Sequence, residues 1–246
     1  MPEAHWAAFT VLVFLITLGV LGMTRHTAGL IAGETPPDSD QVETAVPAGP
    51  TRPRGRSLLY SVAASQLLLA GLVVGSVWVT RVPFSALGLG SRPDLIAAIL
   101  FGGGLFGVNQ VLSTLAKRYT NADPGRLREV LAPESQTDWA VLLLLVLPAV
   151  SVSEEVLFRG ALLGGIASAS SISPWVLVVL SAVAFGLSHT AQGSIGGVVS
   201  GILGLGLGAL FLVTGSLWTV VLAHYLIDLL EFVLYEGMGS DLVPLG

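Results

Sequence analysis

Apolar residues run in long unbroken blocks along this chain, and polar residues collect between them. Residues 4–24 contain no Asp, Glu, Lys or Arg and include AAFTVLVFLITLGVLGM, and residues 57–80 and 95–116 are likewise uncharged. A helix needs about 20 residues to cross roughly 30 Å of hydrocarbon, so each block is long enough for one span. A fourth block, 139–153, leads straight into EEVLFRG. From 160 to 227 there is no Asp, Glu, Lys or Arg in 68 residues, which is too long for one span. Breaks near 168–174, 190–193 and 214–216 divide this part into helices expected at about 156–168, 174–190, 194–213 and 217–235. Pro148 is expected to kink its helix or end it. Only helices and closed barrels satisfy their backbone in lipid. The pattern predicts an all-α fold, a polytopic membrane helical bundle of about seven or eight transmembrane helices.

The first block has positive charge after it rather than before it and no small-x-small cleavage site, so it reads as a retained span and not a signal peptide. The chain then divides into an N-terminal transmembrane helix at 1–24, a Pro-rich polar loop at 25–56, transmembrane helices with a basic loop at 57–137, a helical core at 138–235 and a C-terminal tail at 236–246. The loop 25–56 holds five prolines and four arginines, and the loop 117–138 holds Lys117, Arg118, Arg126 and Arg128. Two crossings separate these loops, so excess positive charge places both in the cytoplasm and the N-terminus outside.

Composition sharpens this picture. Hydrophobic residues make up 53% of the 246 and charged residues 11%, against about 25% charged in a soluble domain. The chain is therefore expected to be integral to a membrane, the cell membrane of a prokaryote, in contact with membrane lipid. With no cysteine, there is no disulfide framework, thiolate nucleophile or cysteine metal cluster. A net charge of -5 with 11 Lys and Arg argues against a nucleic-acid partner. Ten arginines beside one lysine, with an acidic balance, fit a salt-adapted organism. Gly197 and Gly201, and Gly204 and Gly208, stand four apart, a spacing that lets membrane helices approach closely. No phosphate-binding loop or dinucleotide fingerprint accompanies them, which argues against a nucleotide-driven pump.

Ionisable groups within apolar helices are costly and tend to face a bundle interior. Between Trp139 and Leu230, every Asp, Glu, Arg and His falls into one of three groups. The first is Glu154-Glu155-x-x-x-Arg159. On a helix Glu155 and Arg159 share a face, and Glu154 points about 100° away. Arg159 can then orient Glu155, leaving Glu154 the freer carboxylate and a candidate general base. The second group is Phe185-x-x-x-His189, with Phe185 one turn from the histidine as a candidate substrate-binding wall. The third is His224-x-x-x-Asp228, where Asp228 is placed to orient the imidazole, act as a ligand, or join an oxyanion-binding pair if protonated. Glu231 is expected to border the same cavity or reach the membrane interface. One convergent pocket accounts for all three groups. Glu154, His189 and His224 are also a candidate zinc set. The alternative is metal-free, with water activated by Glu154 and His189 and a tetrahedral intermediate supported by His224 and Asp228. The HExxH motif is absent.

EEVLFR at 154–159, FGLSH at 185–189 and HYLID at 224–228 resemble, in order and in membrane setting, the CAAX-protease and bacteriocin-processing family of intramembrane endopeptidases. The resemblance covers roughly 138–235. It implies a catalytic CAAX-protease-like core acting on a peptide or lipidated-protein substrate, such as the C-terminus of a prenylated CAAX protein. It implies that Glu154 and His189 activate water, that His224 and Asp228 form the oxyanion site, and that Glu155 and Arg159 support them. Zinc is a possible cofactor, the family having long been described as metalloproteases. Asp228 stands where prenyl endopeptidases often have Asn, and an aspartate must be protonated to donate as Asn does. Two other readings remain: a non-proteolytic immunity or scaffold protein on the same bundle, and a proton-coupled transporter using Glu154, Glu155 and Asp228.

Overall fold

The computed structural model describes residues 5–32, 55–120 and 126–238. Every regular element among them is helical. In chain order they are α1 (Trp6–Ala32), α2 (Arg56–Thr80), α3 (Leu95–Tyr119), the short α4 (Arg126–Val130), α5 (Gln136–Ala169), α6 (Pro174–Ser188), α7 (Gly193–Thr214) and α8 (Leu217–Gly237). Short 3-10 turns occupy Phe84–Leu87 and Thr190–Gln192.

Six of these, α1, α2, α3, α5, α7 and α8, are long and apolar enough to cross a membrane. The apolar α6 has 15 residues, about 22 Å at 1.5 Å per residue, short of the hydrocarbon thickness. Among the described residues the bundle thus has six long helices and one shorter one, against the eight separate blocks read from the sequence. The difference lies in α5. The blocks at 139–153 and 156–168 are one continuous helical stretch of 34 residues. No glycine or proline interrupts it at Glu154 and Glu155, and Arg159 lies within it. Nor does Pro148 end it. Its ring would meet the carbonyl four residues back in a regular helix, and it follows a widened π-helical turn at Leu142–Val146. A second π-helical stretch spans Val156–Gly165, directly after the two glutamates, and such bulges re-aim side chains at functional positions.

The other difference is at α1, which continues to Ala32, so residues 25–32 are helical where the loop was expected. The first proline after the span is Pro36, and Thr24 donates to Ser188 O at 3.1 Å, tying this end of α1 to the end of α6. The remainder of the Pro-rich loop, 33–54, lies outside the described residues, as does the tail from 239.

Contacts at the helix ends fix the topology. Arg56 at the start of α2 pairs with Asp138 at the start of α5 at 2.7 Å, and Arg128 pairs with Glu236 near the end of α8 at 2.8 Å. The two arginine-bearing segments therefore share one end of the bundle. At the other end, Leu217 N donates to Gly88 O at 3.1 Å and His5 N to Thr80 O at 2.9 Å.

The tightest packing joins α6 to α7. A Cβ built on Gly186 would lie 2.6 Å from Gly197 O, and one on Gly197 would lie 2.8 Å from Gly186 O. The four-residue glycine spacing on α7 is thus used for close backbone approach. Gly102 on α3 likewise faces Ala223 O of α8, at 2.8 Å from its built Cβ. Leu157, Phe158, Leu163, Leu207, Leu210 and Leu217 form the buried centre, with Phe9 and Val13 of α1 and Val73 and Val77 of α2 against them.

Candidate active site

Glu155 and Arg159 are fully buried in the middle of the bundle. Arg159 Nη1 donates to Glu155 Oε1 at 2.7 Å. Its Nη2 donates to Gly204 O of α7 at 3.2 Å, and its guanidinium lies 4.5 Å from the centre of the Phe185 ring on α6. A planar, multi-donor cation suits this position, and one side chain links α5, α6 and α7. The close approach depends on Gly204, whose built Cβ would lie 3.3 Å from Ala182 Cα and 3.4 Å from Arg159 Nη2.

The same Glu155 oxygen is 2.7 Å from His224 Nδ1 of α8. A carboxylate accepts, so His224 Nδ1 carries a proton. His189 sits at the end of α6, where the helix gives way to a 3-10 turn. Its Nδ1 is 2.8 Å from Phe185 O. A carbonyl only accepts, so this Nδ1 is protonated too. Both imidazoles are thereby fixed with Nε2 free for chemistry. Glu154 Oε2 is 3.8 Å from His189 Nε2 and 3.9 Å from His224 Nε2, and this buried oxygen has no hydrogen-bond partner. Asp228 Oδ2 lies 3.5 Å from His224 Nε2. Phe185 stacks at 4.4 Å against His189 and meets Phe158 edge-on at 5.2 Å.

The structure therefore brings Glu154, Glu155, Arg159, Phe185, His189, His224 and Asp228 together from α5, α6 and α8. It also adds one partnership. Glu155 holds His224 Nδ1 from another helix, and Asp228, for which orienting, ligand and oxyanion roles were all open, stands on the Nε2 side. Sequence spacing reveals pairs within a helix and is blind to this link, which depends on how α5 and α8 are rotated against each other.

A cavity of about 110 Å³ opens beside the histidines, lined by Phe185, His189, His224 and Asp228 and also by Asn109, Ser113, Gln192, Ser200 and Glu231. Glu154 is not part of this lining, and its side chain keeps 12% exposure. Glu231 borders the cavity, accepting from Asn109 Nδ2 at 3.1 Å and Arg128 Nη1 at 3.3 Å. Asn109, from α3, was missed by sequence reasoning. The only cue was an amide inside an otherwise uncharged span. Gln66 on α2 carried the same cue and lies 2.5 Å from Ser153 Oγ, next to Glu154.

The zinc set of Glu154, His189 and His224 converges, but among the described residues no group of three or more His, Cys, Asp or Glu side chains is arranged to hold a metal ion.

Residues 136–230 match the family model of type II CAAX prenyl endopeptidase Rce1-like proteins. This bears out the resemblance drawn from the three motifs. No curated protein and no solved structure matches the chain. All seven candidate site residues lie within the Rce1-like segment, whereas Asn109, Ser113 and Glu231, which complete the cavity, lie outside it.

Proposed function

We propose that this protein is an intramembrane endopeptidase that hydrolyses a peptide bond near the membrane surface, on a peptide or lipidated-protein substrate. The observation that carries the reading is the unpartnered, buried Glu154 Oε2, faced by two histidine Nε2 atoms across less than 4 Å. That separation is too long for a direct hydrogen bond and short enough for one water molecule to bridge.

In this mechanism a water donates one hydrogen to Glu154 and the other to His189 Nε2, whose lone pair is free because Nδ1 is spent on Phe185 O. Its oxygen lone pair then points at the scissile carbonyl. Glu154 takes the proton as the water attacks and later passes it to the departing amide nitrogen. The oxyanion forms beside His224. With Nδ1–H donated to Glu155, His224 supplies a donor at Nε2 only as imidazolium, and Glu155 is placed to stabilise that charge. Asp228, beside the same Nε2, contributes a second donor when protonated. Arg159 holds Glu155 and does not touch the substrate.

Substrate trapping tests this. Tagged protein carrying Glu154→Gln, kept in native membranes, is expected to retain a peptide or protein that mass spectrometry identifies and that the unmodified protein cleaves. Capture of partners that neither form cleaves would overturn the peptidase reading and favour a scaffold. Proton-dependent solute uptake into liposomes, lost in Asp228→Asn, would favour a transporter.

A further inference from the structure

The residue before His189 is held from outside the Rce1-like segment. Ser188 ends α6, where the helix gives way to a 3-10 turn. Its carbonyl shares one rigid peptide plane with the His189 amide. Thr24 Oγ1 of α1 donates to that carbonyl oxygen at 3.1 Å. The same hydroxyl also lies 3.1 Å from Val20 O in its own helix, so its one proton is shared between two acceptors. Thr10 and Thr17, earlier on the same face of α1, donate to Trp6 O and Val13 O within the helix. Thr24 instead reaches a second helix. The backbone of His189 lies at φ −100° and ψ 5°, outside the regular helix, and the last carbonyls of a helix lack partners in its ladder. The helix therefore does not fix His189 by itself. The Ser188 side chain completes the hold. Its hydroxyl donates to Phe185 O at 2.7 Å, which leaves its lone pairs toward His189 Nδ1 at 3.2 Å, beside the bond from Nδ1 to Phe185 O. Much of α1 has no such role, since Val11, Phe14, Leu15 and Leu18 face outward.

We propose that Thr24 and Ser188 are positioning residues for His189, Thr24 fixing the peptide plane that leads into it and Ser188 its imidazole. Helix α1 is then a working part of the active site and not only a membrane anchor. This rests on the peptidase reading and adds α1 to the helices that set its geometry. His189 Nε2 is at the far end of the ring from the backbone, so a tilt of the Ser188–His189 peptide carries it away from Glu154 Oε2, now 3.8 Å away, and from the water between them. Neither Thr24 nor Ser188 lines the cavity, so both act on the chemical step and not on substrate binding.

The test uses the full-length protein in liposomes and the peptide released from the Glu154→Gln trap. Thr24→Val keeps the shape of the side chain and removes the donor. It is expected to lower kcat by about tenfold, the equivalent of one lost hydrogen bond, with KM unchanged. The unfolding midpoint is expected to fall by no more than about 4 °C, and Thr24→Ser is expected to restore kcat. Thr24→Ala serves the same purpose if the valine variant fails to fold. Ser188→Ala, which removes only the hydroxyl beside Nδ1, is expected to act on kcat in the same way. In parallel, the protein in detergent is isotope-labelled at the imidazole nitrogens of its four histidines and read by NMR, with resonances assigned through His189→Gln and His224→Gln. Thr24→Val and Ser188→Ala are each expected to move the His189 resonances and leave those of His224 in place. For either residue, an unchanged kcat, a loss carried by KM, or an unmoved His189 resonance would overturn its role, as would failure of Thr24→Ser to restore kcat for Thr24. If the unmodified protein cleaves no peptide, the peptidase reading fails and the spectra alone decide the positioning role. A shift confined to His189 upholds it, and no shift, or equal shifts at both histidines, overturns it.

Discussion

Helices α1, α2 and α3 and helices α5, α7 and α8 are closely alike in apolar character. Their burial is not close. In the first set 17%, 22% and 17% of the most apolar window is buried, and in the second 56%, 50% and 44%. On α2, Leu67, Leu68, Leu72, Trp78 and Val79 face outward. Apolar character therefore tells which helices enter a membrane and not which of them form its interior. Lipid is as apolar as leucine, so nothing hydrophobic drives one membrane helix onto another. Close backbone approach and buried polar contacts decide. Helices α5 to α8 carry most of them, and α3 joins that set only along one face, through Gly102 and Asn109 against α8.

The largest effect on this contrast is expected from Arg159→Met. It strips Glu155 of its buried cationic partner, leaving only His224 beside it, and releases α7 and Phe185 at once. Breaking one member of a buried pair costs about 3–5 kcal/mol, readable as a lowered unfolding midpoint in detergent. A shift no larger than that of an exposed substitution on α2 would show that the polar centre does not hold the bundle.

A smaller loss is expected from Gly186→Ala, whose methyl would sit 2.6 Å from a backbone oxygen of α7. Overpacking of this kind costs about 1–3 kcal/mol. The matched control is Gly75→Ala on α2, where nothing lies within 4 Å of the built Cβ. That change is expected to be neutral or to stabilise by up to about 1 kcal/mol through helix propensity. Similar midpoints for the two variants would erase the distinction between the helix sets.

Much of this architecture was legible in the sequence, because an uncharged block of sufficient length has few alternatives in lipid. The breaks at 168–174, 190–193 and 214–216 were visible as small, polar or proline residues, and helices end there. The join of two blocks into α5 was hidden, since EEVLFR looks like an interface boundary until Glu155 is seen to be neutralised inside the protein by Arg159. The extension of α1 to Ala32 was hidden because the prolines and arginines of 25–56 pointed to a loop from Arg25 onward. The three polar groups stood out because charge is scarce around them. Their cross-links did not, because the bond between Glu155 and His224 spans 69 positions in the chain. Asn109 and Gln66 were passed over as uncharged residues in apolar helices, although an amide there needs a partner as a charge does.

The measurement that bears most directly on the site is the single-turnover rate at which the reconstituted protein cleaves the substrate captured by its Glu154→Gln variant. With Glu154 as the general base, Glu154→Gln is expected to slow cleavage by about 10²–10⁴-fold while the unfolding midpoint and substrate binding hold. Unchanged cleavage in that variant, with folding intact, would contradict the account.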